Sequence, residues 1–162
     1  MKRKLFLGVS AVVLSLLLSL PAVAGDYVVK NDLILTSNLT GLVWQRVDDN
    51  ITRDWKAAKD YCLNLSYAGY DDWRLPNHYE LRTILNEGDK YPAITQDLFP
   101  KTKSARYWTG TELPYYDQMS FYVNFGDDSS VKSSDDRLVA MQWKNKYYCR
   151  CVRGKRKKIQ KK

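Results

Sequence analysis

GYDDWRLPNHYEL, residues 69–81, crowds carboxylates, an indole, a guanidinium and an imidazole into one short run. How this run is read decides the fold. Asn77 follows Pro76 as a helix N-cap, and Glu80 stands three residues on, in the capping-box position. A helix is therefore predicted to start after Pro76, with Leu81, Ile84 and Leu85 as its buried stripe and Gly88 at its end. Upstream, DWKAAKDYCLNL (54–65) sets Trp55, Ala58, Cys62 and Leu65 on one face at helical spacing. Thr52 is the expected cap of that first helix, with Asp54 well placed against the positive end of its dipole. The opening run is then a joint between two helices. Arg74 fits such a joint as a structural cation satisfied by Glu80 or Asp72, with Trp73 and Leu75 in the core, because a buried guanidinium needs its donors filled.

Working outward, YVVKNDLILTSNLTGLVWQR (27–46) alternates β-branched and apolar residues with turn signals at 30–32 and 38–41. After Pro100 the segments 107–111, 118–125, 138–144 and 146–153 also read as strands. Asn145 predicts a tight hairpin between the last two. Strands, two helices and then a run of strands define an α+β class with antiparallel sheets.

The first 24 residues have the form of an export leader: MKRK, a long apolar run and an Ala22-Val23-Ala24 cleavage pattern. Residues 25–154 form the expected domain. The formal charge of +8 is unevenly spread. The predicted leader carries Lys2, Arg3 and Lys4, and a tail at 155–162 carries Lys155, Arg156, Lys157, Lys158, Lys161 and Lys162, leaving residues 25–154 with 17 basic and 18 acidic side chains. The tail, read as disordered, is thus the basic element, suited to a polyanion or an anionic membrane surface. No specific nucleic-acid partner is expected of an exported chain.

TGLVWQR, WKAAKDYCLNLSYAGYDDWRLPNHYEL, FP, YWTGT, FYVNFGDDS and RCVRG occur in the order characteristic of a bacterial family of exported domains. From about Thr40 to Gly154 the chain resembles the Lcl C-terminal domain family. That resemblance implies a C-type-lectin-like fold, and R-L-P-x-x-x-E at 74–80 is similar to the scaffold of the formylglycine-generating oxidases. It also implies a disulfide between Cys62 in the first helix and Cys151 in the last strand. Such a link closes a loop worth about 4–5 kcal/mol in the chain-entropy model. Cys149 departs from the family pattern. It shares a strand face with Cys151, and is read either as a buried free thiol or as a spare partner for Cys62.

No catalytic residue is nominated. His78 is the sole histidine, no GxSxG-type nucleophile motif accompanies it, and neither Cys149 nor Cys151 sits in a reactive-pair context. No cofactor is expected either. Asp127, Asp128, Asp135 and Asp136 have the oxygen chemistry that Ca2+ takes, but a Ser- and Asp-rich loop is more often simply solvated. The leading expectation is an exported, non-catalytic binding or adhesion module whose ligand is a glycan, a polyanion or a protein at the cell envelope. Tyr115, Tyr116, Asp127, Asp128 and Trp143 are its nominated ligand residues. The alternatives are an enzyme or accessory factor on the formylglycine-generating scaffold, and a structural envelope protein linked through Cys149.

Overall fold

The computed structural model describes residues 23–24, 26–86, 88, 91–127 and 135–155. Two antiparallel sheets and two helices make up an α+β domain. The first sheet has the order β1–β2–β3–β4–β8, built from β1 (Val23–Ala24), β2 (Tyr27–Val29), β3 (Ile34–Ser37), β4 (Val43–Gln45) and β8 (Val152–Arg153). The second has the order β5–β6–β7, from β5 (Arg106–Glu112), β6 (Met119–Asn124) and β7 (Leu138–Gln142). Helix α1 (Trp55–Leu63) packs on β5, and α2 (His78–Arg82) packs on β5 and β6. Strand β1 is the last part of the predicted leader, so cleavage after Ala24 would leave β2 as the outer strand.

Adjacent residues of the central strands point into different cores, as the period of two along a strand requires. Leu35, Tyr107, Val123 and Val152 belong to one cluster, built on Trp44, Leu81 and Phe99. Their neighbours Ile34, Trp108, Tyr122 and Cys151 belong to a second, built on Trp55, Ala58, Cys62 and Trp73. Segments buried on both faces read as unbroken apolar runs rather than as alternating strands. This explains the density of Tyr and Trp in the late part of the chain.

Three local expectations change. Asp54, not Thr52, caps α1: its backbone is extended and its carboxylate accepts from Ala57 N. Helix α2 has the predicted capping box, with Asn77 accepting from Glu80 N and Glu80 accepting from Asn77 N. It stops at Arg82, well before Gly88, as Thr83 Oγ1 turns back to Glu80 O. Leu81 and Ile84 are buried as expected, and Leu85 lies at the edge of the core. The largest change concerns the predicted hairpin at Asn145. Among the described residues strand β7 pairs with β6 alone, whereas β8 crosses to the first sheet and pairs with β4, matching Val43 to Arg153 and Trp44 to Val152. Residues 146–148 bridge the two sheets, with Tyr147 paired to Arg53 and Tyr148 to Tyr107.

The cause of this crossing is long-range. Cys62 and Cys151 are joined in a disulfide across 89 residues, as the family pattern implies. Arg150, only 1% exposed, donates to Asp48 Oδ2 at 2.7 Å, to Thr102 Oγ1 at 2.7 Å and to Gln45 O at 2.6 Å. Gln45 Oε1 in turn accepts from Cys151 N. A local turn signal cannot compete with a covalent link and a filled guanidinium.

Candidate functional site

The helix joint is built as a closed polar lock. Arg74 is bidentate on Glu80, with Nη1 to Oε2 at 2.7 Å and Nη2 to Oε1 at 2.9 Å, and Nη2 also reaches Gly154 O at 2.9 Å. The same Glu80 carboxylate completes the capping box, and its residue is 3% exposed. Trp73 and Leu75 are buried, and the Trp73 indole donates to the carbonyls of Tyr67 and Tyr70. Asp72 is not part of this lock. It points outward and pairs with Arg153, whose hydrogen bonds hold the Asp72 carboxyl below its ordinary range. The expected trio of Asp72, Arg74 and Glu80 therefore divides into two pairs on neighbouring segments.

The groups with intrinsic reactivity are likewise engaged. His78 Nδ1 lies 3.1 Å from Thr111 Oγ1, and burial, with a smaller push from Arg82, lowers its pKa. Cys149 is a free thiol, 1% exposed, and burial pushes its pKa up to about 12. Of the two readings of Cys149, the buried free thiol is the one observed. So deep a sulfur offers no route to a linkage between chains without local opening. Burial, reinforced by the Asp48 charge, also raises the pKa of Tyr107, whose hydroxyl donates to Asp48.

The nominated ligand residues are separated by the length of β6. Tyr115 and Tyr116 sit on the tip between β5 and β6, the first fully exposed with φ of 69°, the second 63% exposed. Trp143 adjoins that end, beside a hollow lined by Asp117, Gln118, Gln142 and Lys144. It is only half exposed: its ring stacks on Trp55 at 4.5 Å and its Nε1 donates to Ser120 Oγ at 2.8 Å. Much of Trp143 is therefore structural. Asp127 lies past the other end of β6, exposed, its backbone N 3.4 Å from Ser104 Oγ. Asp128 and tail residues 156–162 lie outside the described residues; Lys155 is exposed. Among the described residues no group of three or more His, Cys, Asp or Glu side chains could hold a metal ion.

Around Asp127 the structure assembles a cleft of about 280 Å3. Four separate segments line it: Thr52, residues 104–106, residues 124–127, and residues 146–148. Arg106 and Lys146 bring positive charge, Asp127 a negative one, and Tyr147 and Tyr148 an aromatic wall. The wall is held by main chain. Arg53 N donates to Tyr147 O at 2.8 Å, Trp108 N to Tyr148 O at 2.9 Å, and Tyr148 N to Arg106 O at 3.1 Å. The Tyr147 ring packs on Trp108 and Tyr122, and the Arg106 guanidinium lies 5.3 Å from the Tyr122 ring centre and 5.8 Å from that of Tyr147. Such cation–π contacts help to fix a guanidinium, and Arg106 has further contacts within its own chain. Of this cleft, sequence reasoning named only Asp127. The available signal was the run KNKYY (144–148), in which lysines alternate with or flank aromatic residues just where a strand was expected.

Fold and site together describe a compact α+β domain, closed by a helix-to-last-strand disulfide, that keeps its catalytic-type side chains engaged and presents a charged, aromatic-walled cleft. The chain belongs to the Lcl C-terminal domain family, whose model matches residues 34–153. No curated protein matches it significantly.

Proposed function

We propose that this protein is an exported, non-catalytic binding module on a C-type-lectin-like scaffold, and that it takes an acidic glycan of a cell envelope or host surface in the cleft between Arg106 and Lys146. The observation that carries this reading is the composition of the cleft. Among the described residues that line it, two cations stand beside one carboxylate, hydroxyl groups come from Thr52 and Ser104, and aromatic side chains line one wall. Carboxylate or sulfate groups on a saccharide match the cations, ring hydroxyls match the polar atoms, and the apolar face of a sugar matches the tyrosines. The locked states of Glu80, His78 and Cys149 support binding rather than turnover. The basic tail from Lys155 onward adds salt-sensitive attraction to the same class of polymer. Tyr115 and Tyr116, exposed at the other end of β6, would extend contact along a longer chain.

An array of acidic and neutral oligosaccharides, probed with and without Ca2+, tests this reading. Retention of uronate- or sulfate-bearing sugars, insensitive to chelator, is expected. Binding confined to neutral sugars, or lost on chelation, would overturn it.

A further inference from the structure

The turn between β5 and β6, LPYYDQ (113–118), is built on backbone that its side chains do not favour. Tyr116 N donates to Leu113 O at 3.4 Å, with Pro114 and Tyr115 as the two central residues. Pro followed by a residue at positive φ is the type II pattern, whose second central position normally falls to Gly or Asn. Here it holds Tyr115, at φ 69°. Further along the same turn Gln118 stands at φ 58°, again where glycine would be unstrained. Main chain holds the turn without these side chains: Leu113 N donates to Met119 O at 2.9 Å, and Trp143 N donates to Gln118 O at 2.8 Å. Strained positions that keep large or polar side chains, where glycine would serve the fold better, point to a role outside the fold.

Those side chains stand at a hollow. Tyr115 is fully exposed and Tyr116 is 63% exposed. Directly after them in sequence, Asp117 and Gln118 join Gln142, Trp143 and Lys144 around a space of about 260 Å3. Asp117, Gln118, Gln142 and Lys144 are exposed, and among the described residues no hydrogen bond or ion pair engages their side chains. The Trp143 ring is already stacked on Trp55 and has Lys56 Nζ 5.3 Å from its centre, so the free aromatic surface is that of the two tyrosines.

The composition of the hollow sets the class of ligand. The charges of Asp117 and Lys144 cancel, so it favours a molecule with no net charge, unlike the cleft at the other end of β6. Each carboxamide carries both donors and an acceptor, as a run of hydroxyl groups requires. At about 260 Å3 the space falls below the range of drug-sized ligands and suits a single ring. A standard protein interface takes about 20–30 residues a side, far more than line this hollow, which argues against a protein partner.

We propose that this hollow is a second binding site, for one uncharged sugar ring. Gln118, Gln142 and Asp117 hydrogen-bond its hydroxyl groups, Lys144 donates to one of its oxygens, and Tyr115 and Tyr116 cover its apolar face. Tyrosine suits that contact because it offers a large area with few rotatable bonds. The site goes beyond the acidic-glycan reading and stands without it, since it shares no residue with the cleft.

A panel of uncharged methyl pyranosides, tested on the full chain by saturation-transfer NMR, probes the site. At least one is expected to bind at about 1–10 mM, the range of a single-ring ligand on an open surface. Tyr115→Gly and Gln118→Gly should each weaken that binding about fivefold or more. Their urea midpoints should hold or rise, because glycine relieves the positive φ. Lys146→Ala should bind the pyranoside as wild type does. No saturation transfer from any member at about 50 mM overturns the proposal. Binding that survives both glycine variants also overturns it, as does binding lost in Lys146→Ala, which would place the sugar in the cleft. Midpoints that fall in both glycine variants would overturn it too, since Tyr115 and Gln118 would then serve the fold. Short acidic oligosaccharides should bind both glycine variants normally, so failure here is distinguishable from failure of the cleft.

Discussion

Arg150 and Arg106 do different things with the same guanidinium. Arg150 is enclosed and spends its donors on Asp48, Thr102 and main-chain carbonyls. Arg106 rests on aromatic faces at the lip of an open cleft. Arg74 lies between these extremes, half open to solvent yet bidentate on a buried carboxylate. The lesson is that charge density in a sequence does not locate a ligand site. Motif-rich runs can be charged because a joint requires filled hydrogen bonds, while an unremarkable residue such as Lys146 is exposed at the cleft that Arg106 also lines.

The comparison breaks first, if it is wrong, at Arg150. Asp48→Ala leaves a guanidinium buried without its counter-ion and should cost about 3–5 kcal/mol in a urea titration. Adding Arg150→Met should recover part of that loss, because the stranded charge is then gone. A loss under about 1 kcal/mol would show that the pair is not enclosed. Arg74→Met comes next, at about 2 kcal/mol, since Glu80 keeps its capping-box partner but loses its cation. An unchanged midpoint together with lost ligand binding would move Arg74 from the structural side of the comparison to the functional one.

The smallest effect is at Asp72. Arg153 lowers its folded pKa, so the folded state binds fewer protons than the unfolded one through the carboxylate range. Its contribution is therefore present above an unfolded value of about 3.9, and is lost as pH falls through the lowered folded value. The midpoint difference between wild type and Asp72→Asn should be small at about pH 6 and vanish near pH 2. A difference that grows on acidification would contradict the pairing.

What the sequence revealed follows the range of the forces. The Asn77–Glu80 capping box and the apolar face of α1 are set within a few residues, and both were legible. The late hairpin was misread because Asn145 gives a true local turn signal, whereas the route of the chain after it is decided by Cys62 and Asp48, far upstream. The disulfide came from family resemblance and from no local pattern. The cleft was the least legible feature. Thr52, Ser104, Asn124 and Lys146 become neighbours only when the 146–148 crossing is made, and that crossing was the element misread.

The most direct test of the central claim is calorimetric titration of an acidic oligosaccharide retained on the array into wild type and into Lys146→Ala. Lys146 is exposed, so the melting temperature should not move. Affinity should fall about tenfold, as expected for losing one charge-assisted contact of about 1.4 kcal/mol. Equal affinities in the two proteins would show that the ligand binds elsewhere and that the cleft is not the site.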